Sequence, residues 1–515
     1  MRDEKTAGRR EWIGLGVLAL PTLLVSIDVF VMLMALPRLS EDLHADGVEQ
    51  LWIVDSYGFM IAGFLITMGN LGDRIGRRRL LLIGAVGFGL ASVLAAFSVS
   101  AEMLIAARAL LGIAGATLMP STLALISTMF AVPRQRAVAI SVWMVCFMGG
   151  AAIGPLVGGV LLEHFWWGSV FLLGVPAMVL LLVLGPLLLP EHANPGGSVD
   201  LVSVALSLAT ILPIIYGLKE LARDGLGAYP ACALLAGLAF GAVFVRRQQT
   251  LAHPLLDLRL FRNRVFSAAL GNMLFGTFLM GAIMLFISQY FQLVQGLTPL
   301  VAGLCMLPAA IGSTVSTLLA PILARRFRPA YLIAGGLVLS TAGLVAITRV
   351  DASSGLPVLL AGFMAINLGA GPMVVLGTDL VVGSVAPEKA GAAGSLNETA
   401  GEFGFALGIA VLGSIGAVVY RAQVTVPPGV PPVAADAGRQ GLAEAVAASG
   451  SLHGETAVAL LRSARESFTA GLNVVAGVSA VLLLGAAFVA LGMFRSVPPH
   501  AHAAQGEAGN LPASG

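Results

Sequence analysis

Long apolar runs recur along the whole chain and are separated by short polar segments. Each run has about 20 residues, which is the length that a helix needs to cross the hydrocarbon layer of a membrane. The pattern predicts fourteen such helices, and their even number places both termini on the same side. Their predicted bounds are 12–36, 51–70, 79–99, 102–124, 137–162, 167–189, 200–218, 230–246, 266–292, 300–324, 330–349, 356–383, 394–420 and 467–494.

Composition indicates the same class of protein. Only 11% of the 515 residues are charged and 57% are hydrophobic, with a mean hydropathy of +0.92, whereas soluble domains have about 25% charged residues. So few charges cannot cover a soluble surface, and so many apolar residues exclude a disordered chain. The net charge of +2 argues against nucleic acid as a partner. The chain is therefore predicted to be an all-α polytopic membrane protein surrounded by lipid.

The distribution of basic residues predicts the orientation. Of the 29 Lys and Arg residues, twenty fall on segments that share a side with the termini, eight fall on the opposite side, and Arg108 lies inside a span. Basic residues accumulate on the cytoplasmic side of membrane proteins. Both termini are therefore predicted to be cytoplasmic.

A faint internal repeat divides the chain. Gly150-x-x-x-Gly154 and Gly404-x-x-x-Gly408 are separated by nearly the same number of residues as two similar basic loops, which follow the second and tenth spans. Repeated halves with a substrate site at their interface are typical of transporters. The predicted domains are an N-terminal six-helix bundle at 1–192, an inserted helix pair with its linker at 193–262, a C-terminal six-helix bundle at 263–495 and a disordered cytoplasmic tail at 496–515.

A polar segment at 421–466 interrupts the second half between the thirteenth and fourteenth spans. It begins rich in proline and then favours helix, and it is predicted to lie outside the cell. It is either a surface excursion or a cap over an outer vestibule, and the sequence leaves both possibilities open.

Charged side chains inside apolar runs are costly, so each is expected to have a partner or a function. Asp28 in the first span and Arg108 in the fourth have opposite charges. An ion pair is the simplest expectation, because an unpaired arginine in hydrocarbon is very unfavourable. The pair is either a static salt bridge or a proton switch, in which protonation of Asp28 releases Arg108.

Two acidic residues share one face of the thirteenth span. Glu398 and Glu402 are four residues apart, and two carboxylates in this arrangement cannot both ionise cheaply. The pattern is typical of a site that exchanges a proton for a cation, although two acids facing a water-filled cavity are the alternative.

Asp55, near the outer end of the second span, is either an entry acid for cations or an interfacial residue without a role. Asp379 is interpreted as a helix-end residue.

Aromatic, amide and glycine residues supply the remaining candidates. Tyr57, Trp143, Gln289 and Tyr290 could line an adaptable apolar pocket for flat cations, whereas most aromatic residues are expected to face lipid or the core. The loop after the second span is either a topology anchor or a charge latch between the halves, and the fifth span offers either a packing surface or a hinge or seal. These conformational motifs comprise Gly69, Gly72, Asp73, Arg74, Gly76, Arg77, Gly150, Gly154, Pro155, Gly158 and Gly159. No metal-ligand spacing and no motif of an enzyme appears.

Several of these segments resemble the major facilitator superfamily. Residues 69–79 look like its loop between the second and third helices, 104–112 like its fourth-helix arginine motif, and 150–159 like the fifth-helix motif of its antiporters. The fourteen spans, and Asp28 before the Ala-Leu-Pro segment at 35–37, point to the drug:proton antiporter-2 branch. The segments at 52–57 and 397–404 look like those of the subgroup that exports quaternary ammonium compounds, dyes and biguanides. The likeness runs from about residue 12 to residue 495.

The resemblance implies a major facilitator fold of two six-helix bundles with two inserted helices, and proton-driven efflux by alternating access in a bacterial inner membrane. By it, Asp28 and Arg108 match the coupling pair and Glu398 matches the acid of the thirteenth-helix motif. The implied partners are protons and lipophilic cationic drugs, dyes and antiseptics. A monomer that needs no cofactor and is driven by the proton-motive force is expected. The alternative is an exporter of an endogenous metabolite, peptide or lipid. Some relatives have an acid in the tenth span where this chain has residues 310–313 without one, a departure that bears on divalent cations.

Overall fold

The protein is described by a computed structural model over residues 7–130, 132–191, 200–224, 227–251, 254, 258–385, 390–452 and 454–495. These residues form α-helices and short connections, and no strand occurs among them. The predicted tail at 496–515 lies outside the described residues. The helices are α1 Arg9–Leu43, α2 Gly47–Ile75, α3 Arg77–Ala96, α4 Ala101–Met129, α5 Pro133–His164, α6 Ser169–Leu172, α7 Gly174–Leu188, α8 Leu201–Asp224, α9 Ala228–Thr250, a 3-10 helix Leu258–Arg262, α10 Arg264–Gln289, a π-helical turn Tyr290–Val294, α11 Pro299–Ala324, α12 Pro329–Ile347, α13 Leu356–Gly383, α14 Ala390–Gln423, α15 Pro432–Gln440, α16 Leu442–Ser449 and α17 Glu455–Phe494.

Each of the fourteen predicted spans overlaps a helix, with α6 and α7 together forming the sixth. In the described parts of the chain, eleven helices are long and apolar enough to cross a membrane. The second, fifth and seventh predicted spans fall in α2, α5 and α8, which are outside that set. The number of helices that cross the membrane therefore stays a prediction, whereas the all-helical architecture is confirmed.

Capping residues determine where several helices begin. Asp46 precedes α2, and its Oδ1 accepts hydrogen bonds from the backbone N–H groups of Val48 (2.9 Å) and Glu49 (2.8 Å). The Glu49 side chain in turn accepts from the N–H of Asp46 at 2.9 Å. At α4, the Ser100 hydroxyl accepts from the N–H of Met103 at 3.2 Å. Such caps satisfy backbone groups that have no partner inside the helix, so they fix turns that are only a few residues long.

The chain divides into two compact units. The first comprises Met1–Leu256, Met284–Leu307 and Ile409–Gly471, and the second comprises Asp257–Ile283, Pro308–Gly408 and Leu472–Gly515. In the first unit α1 packs along α5, α2 along α4, and α8 along α9, with α8 also against α2. In the second unit α12 packs along α13. The helices α10, α11, α14 and α17 contribute residues to both units, and the bundle boundaries predicted from the sequence stay predictions.

Candidate functional site

An ion pair lies between α1 and α4 in the first unit. Nη1 of Arg108 is 2.6 Å from Oδ2 of Asp28, and the two side chains are only 1% and 12% exposed. Nε of Arg108 donates a hydrogen bond to the backbone carbonyl of Ile53 in α2 at 3.1 Å. The guanidinium carbon also lies 4.5 Å from the centre of the Tyr57 ring, within the range of a cation–π contact. The predicted pair is therefore present, and Arg108 joins α1, α2 and α4.

Asp55 and Tyr57 belong to the same region of α2. Both are buried, with exposures of 1% and 2%. Asp55 lies about two turns after the start of α2 at Gly47, near the end of the helix where the sequence placed it. A site at this point is therefore closed to bulk water.

Three glycines on α5 form the surface that packs against α1. A methyl group at Gly150 would lie 2.5 Å from the carbonyl oxygen of Leu23, and one at Gly154 would lie 3.1 Å from Cβ of Phe30. Gly158 faces Val31 in the same way. Glycines four residues apart line one helix face and allow two helix backbones to approach closely. This part of the motif is therefore a packing surface, whether or not it also bends during transport.

A similar surface occurs in the second unit, where α14 packs against α10. A methyl group at Gly404 would lie 2.5 Å from the carbonyl oxygen of Leu274, and Gly408 directly faces Phe278. The glycine pairs that suggested an internal repeat therefore both face the first helix of their own half. The two glycine pairs thus make the same kind of contact, and the internal repeat stays a prediction.

The two acids of the predicted exchange site lie on α14 in the second unit. Glu398 and Glu402 are both partly buried and one turn apart. The neighbouring Asn397 donates from Nδ2 to the Thr378 hydroxyl of α13 at 3.0 Å, which fixes this turn of α14. Asp379 lies four residues before the end of α13, close to the helix end that the sequence predicted, and it is exposed.

The remaining candidates for substrate binding lie in the first unit. Trp143 is 3% exposed and donates from Nε1 to the Thr122 hydroxyl at 3.1 Å. Tyr290 is fully buried at the start of the π-helical turn, where its hydroxyl accepts from Nε2 of Gln295 at 2.9 Å. Gln289 is partly buried at the end of α10. The candidates in the first unit are Asp28, Asp55, Tyr57, Arg108, Trp143, Gln289 and Tyr290, whereas Glu398 and Glu402 are in the second.

The turn between α2 and α3 has a partner that the sequence did not suggest. Gly76 adopts φ +106°, a conformation that a residue with a side chain rarely takes. Nε of Arg78 lies 3.4 Å from Oε2 of Glu191, and Nη1 of Arg78 donates to the carbonyl of Leu189 at 3.0 Å. Arg77 packs over Gly72. The basic loop is thus fastened to the end of α7. The side chain of Asp73 lies outside the described residues, so its role stays a prediction.

Helices of the two sequence halves meet within the first unit. The Ser288 hydroxyl of α10 donates to the carbonyl of Leu33 in α1 at 2.7 Å. A methyl group at Gly159 of α5 would lie 2.6 Å from Cα of Leu300 in α11, and Gly303 likewise faces Pro155. These contacts join the C-terminal ends of α1, α5 and α10 to the N-terminal end of α11. At this end the two halves are therefore closed against each other.

Comparisons with known proteins agree with this architecture. The family model of the Major Facilitator Superfamily matches residues 18–409. The multidrug efflux pump LfrA of Mycolicibacterium smegmatis is 46% identical over 488 residues, which are 94% of this chain and 97% of that protein. The methyl viologen resistance protein SmvA of Salmonella typhimurium is 34% identical over 95% of this chain and 98% of its own length.

A solved structure shows the same fold. It is that of a bacterial homologue of the human lysosomal transporter Spinster, with a TM-score of 0.67 at 16% identity, covering 95% of this chain and 98% of that one. The likeness in fold is independent of the close sequence likeness to the drug-efflux pumps. The chain therefore belongs to the Major Facilitator Superfamily, in which its relatives LfrA and SmvA are of the drug-efflux type.

Proposed function

We propose that this transporter exports lipophilic cations from a bacterial cytoplasm in exchange for protons, as a monomer with both termini cytoplasmic. The charges that lie away from the cytoplasmic ends and outermost residues of its predicted spans support a cationic substrate, because four acids outnumber one base. The acids are Asp28, Asp55, Glu398 and Glu402, and the base is Arg108. The similarity to a multidrug efflux pump and to a methyl viologen resistance protein also supports it, since methyl viologen is a flat dication.

The ion pair between Asp28 and Arg108 carries the proposal of proton coupling. Its two charges are desolvated and held 2.6 Å apart, so each buried charge is stabilised by the presence of the other. A proton on Asp28 removes one charge of the pair and leaves Arg108 to the Ile53 carbonyl and the Tyr57 ring. Protonation thus changes the contacts between α1, α2 and α4, which is what a coupling device needs.

The closed contacts between the halves support alternating access. By the predicted orientation, Ser288, Leu33, Gly159 and Leu300 lie toward the external side. A substrate can leave on that side only when these contacts separate. Backbone-to-backbone packing at glycines is suited to this because it forms and breaks as a rigid surface.

Glu398 and Glu402 are proposed to receive the cation. Two carboxylates one turn apart repel each other when both are ionised, so at least one is expected to hold a proton in the empty site. An arriving monovalent cation replaces one proton, and an arriving dication replaces two. The two acids therefore bind protons and cations in competition.

Everted membrane vesicles test this function. Uptake of ethidium, which is monovalent, and of methyl viologen, which is divalent, is measured together with the internal pH. The wild type is expected to take up both when the vesicles are acidified inside. Asp28→Asn is expected to lose both activities, whereas Glu402→Gln and Glu398→Gln are expected to lose methyl viologen uptake more than ethidium uptake.

The control is Asp436→Asn, because this acid lies on α15 with a side chain that is 70% exposed. Full transport by Asp28→Asn would show that the coupling pair is wrongly assigned. Transport of neutral or anionic compounds with no cation uptake would instead favour export of an endogenous metabolite, peptide or lipid.

A further inference from the structure

The helix α16, between α14 and α17, is attached to the turn that joins α1 and α2. Nε2 of Gln50 donates hydrogen bonds to Oε1 of Glu444 at 2.8 Å and to the carbonyl of Ala45 at 3.2 Å. Leu442 and Ala445 of α16 are 4% and 0% exposed. The helix also packs against the π-helical turn that follows α10. It therefore contacts helices of both sequence halves.

A second set of contacts holds the neighbouring helix α15. The hydroxyl of Tyr420, near the end of α14, donates to the carbonyl of Gly438 at 2.8 Å. Leu460 of α17 packs against the same glycine. The segment 432–449 is thus a small helical pair, called the α15–α16 cap, that is fixed at one end to α14 and α17 and at the other to the α1–α2 turn.

The carboxylate of Glu444 is withdrawn from water at this second attachment. Its Oε2 is inaccessible and accepts no hydrogen bond from any other described residue, and no basic side chain forms an ion pair with it there. Burial raises the pKa of Glu444 from 4.5 to about 7, and the nearby Asp46 contributes to the same rise, while hydrogen bonds from its own backbone N–H and from Gln50 oppose it. The charged and titratable groups on the elements around α16 are Arg38, Glu41, Asp42, His44, Asp46, Glu49, Tyr290, Tyr420, Asp436 and Arg439.

We propose that Glu444 is a proton-binding site that fastens the α15–α16 cap to the α1–α2 turn. The protonated side chain stays in its desolvated position beside Gln50 and Asp46. Loss of the proton to the surrounding water leaves a carboxylate that is better solvated away from the turn, so α16 detaches. The proton that controls the cap comes from the aqueous phase on that face of the protein and returns to it.

The direction of the pH dependence follows from the two states. In the detached cap Glu444 is in water and has an ordinary pKa near 4.5, whereas in the attached cap its pKa is about 7. Attachment is therefore strongest below about pH 4.5, weakens as the pH rises, and levels off above about pH 7. The whole change in the attachment constant is expected to be on the order of a hundredfold.

The site has a consequence for transport if the proposed function is correct. The cap then lies on the external face, and external acid holds it attached to helices of both halves. The proton site itself does not depend on antiport, because it rests only on the contacts of α16. The two proposals can therefore fail separately.

Hydrogen–deuterium exchange of the full-length protein in lipid nanodiscs tests the proton site without any drug. The protection of the amides at 442–449, relative to the same peptide free in solution, is measured from pH 5 to pH 8. In the wild type this protection is expected to fall on the order of a hundredfold across that range. Glu444→Gln keeps the size of the side chain and its contact with Gln50 but cannot ionise, so its protection is expected to stay high at every pH.

The matched control is Asp436→Asn, which removes an exposed acid from the same cap and is expected to behave like the wild type. Protection that is independent of pH in the wild type would overturn the proposal. So would a Glu444→Gln variant that loses protection as the wild type does, or one that is unprotected at every pH.

Discussion

Arg108 and Asp28 lie 80 positions apart in the chain, yet Nη1 of the first is 2.6 Å from Oδ2 of the second. The contact joins α4 to α1 in a region where both side chains are almost entirely shielded from solvent. Removing one partner of such a pair leaves the other charge buried and unpaired, which costs about 3–5 kcal/mol. The pair is thus a structural element of the first unit as well as the proposed coupling device.

Substitution of Arg108 is expected to separate these two roles. Arg108→Ala should destabilise the protein by about 3–5 kcal/mol, because Asp28 loses its partner. Arg108→Lys keeps the charge but cannot reach Asp28 and the Ile53 carbonyl together, so it should cost only about 1–2 kcal/mol. The midpoints of thermal unfolding in detergent rank the stability of the wild type, Arg108→Lys and Arg108→Ala. Equal midpoints for Arg108→Ala and the wild type would show that the pair contributes nothing to stability.

The glycine surface on α5 provides a prediction with a neighbouring control. Gly150→Ala places a methyl group 2.5 Å from the Leu23 carbonyl oxygen, so α1 and α5 must move apart at a cost of about 1–3 kcal/mol. Gly149→Ala meets no atom within 4 Å and should stabilise α5 by about 0.5–1 kcal/mol, because alanine favours helix. Unfolding midpoints that shift in opposite directions are expected, and a common shift would mean that α1 does not pack here as described.

The turn between α2 and α3 provides a similar comparison. Gly76→Ala puts a side chain on a residue with φ +106° and drives its methyl group into Glu191, so a loss of about 1–2 kcal/mol is expected. Gly69→Ala, earlier in the same motif and inside α2, meets nothing within 4 Å and should stabilise the helix by about 0.5–1 kcal/mol, because alanine favours helix. The relevant measurement is the melting temperature of each purified variant. If Gly76→Ala proved as stable as Gly69→Ala, the turn would not need its glycine.

An ion pair at the start of α8 is expected to stabilise the inserted helix pair. Nε and Nη2 of Arg247 each lie 2.9 Å from an oxygen of Asp200, and the Ser203 hydroxyl donates to the same carboxylate at 2.6 Å. Asp200→Asn should therefore cost about 1 kcal/mol and increase amide exchange in the first turns of α8.

The control is Asp436→Asn, which removes the exposed pair between Asp436 and Arg439. Because surface pairs contribute little to stability, this substitution is expected to leave amide exchange unchanged. Equal amide exchange at α8 in the wild type and in Asp200→Asn would contradict a stabilising role for the Asp200 pair.

The membrane helices could be predicted because long apolar runs have few alternatives to helix. The pair of Asp28 and Arg108 could be predicted because a lone arginine in hydrocarbon requires a partner. The glycines that face α1 followed from their spacing of four.

Contacts outside the membrane could not be predicted in the same way. Glu191 binds Arg78 from a position 113 residues later, and Glu444 lies 394 residues after Gln50, with no periodic pattern to relate them. Their partners are fixed by tertiary packing of polar segments, where many side chains could satisfy the same chemistry. The burial of Asp55 could not be predicted either, because the exposure of a residue near the end of a span depends on how the neighbouring helices pack around it.

Proton movement through the purified protein is the most direct test of proton-coupled export. The protein is reconstituted in liposomes that contain a pH-sensitive dye, with equal pH on both sides, and a gradient of ethidium is imposed. The wild type is expected to move protons against the direction of the cation, Asp436→Asn to behave in the same way, and Asp28→Asn to move none. Ethidium transport by the wild type without any proton movement would rule out antiport, and unchanged proton movement in Asp28→Asn would rule out coupling through Asp28.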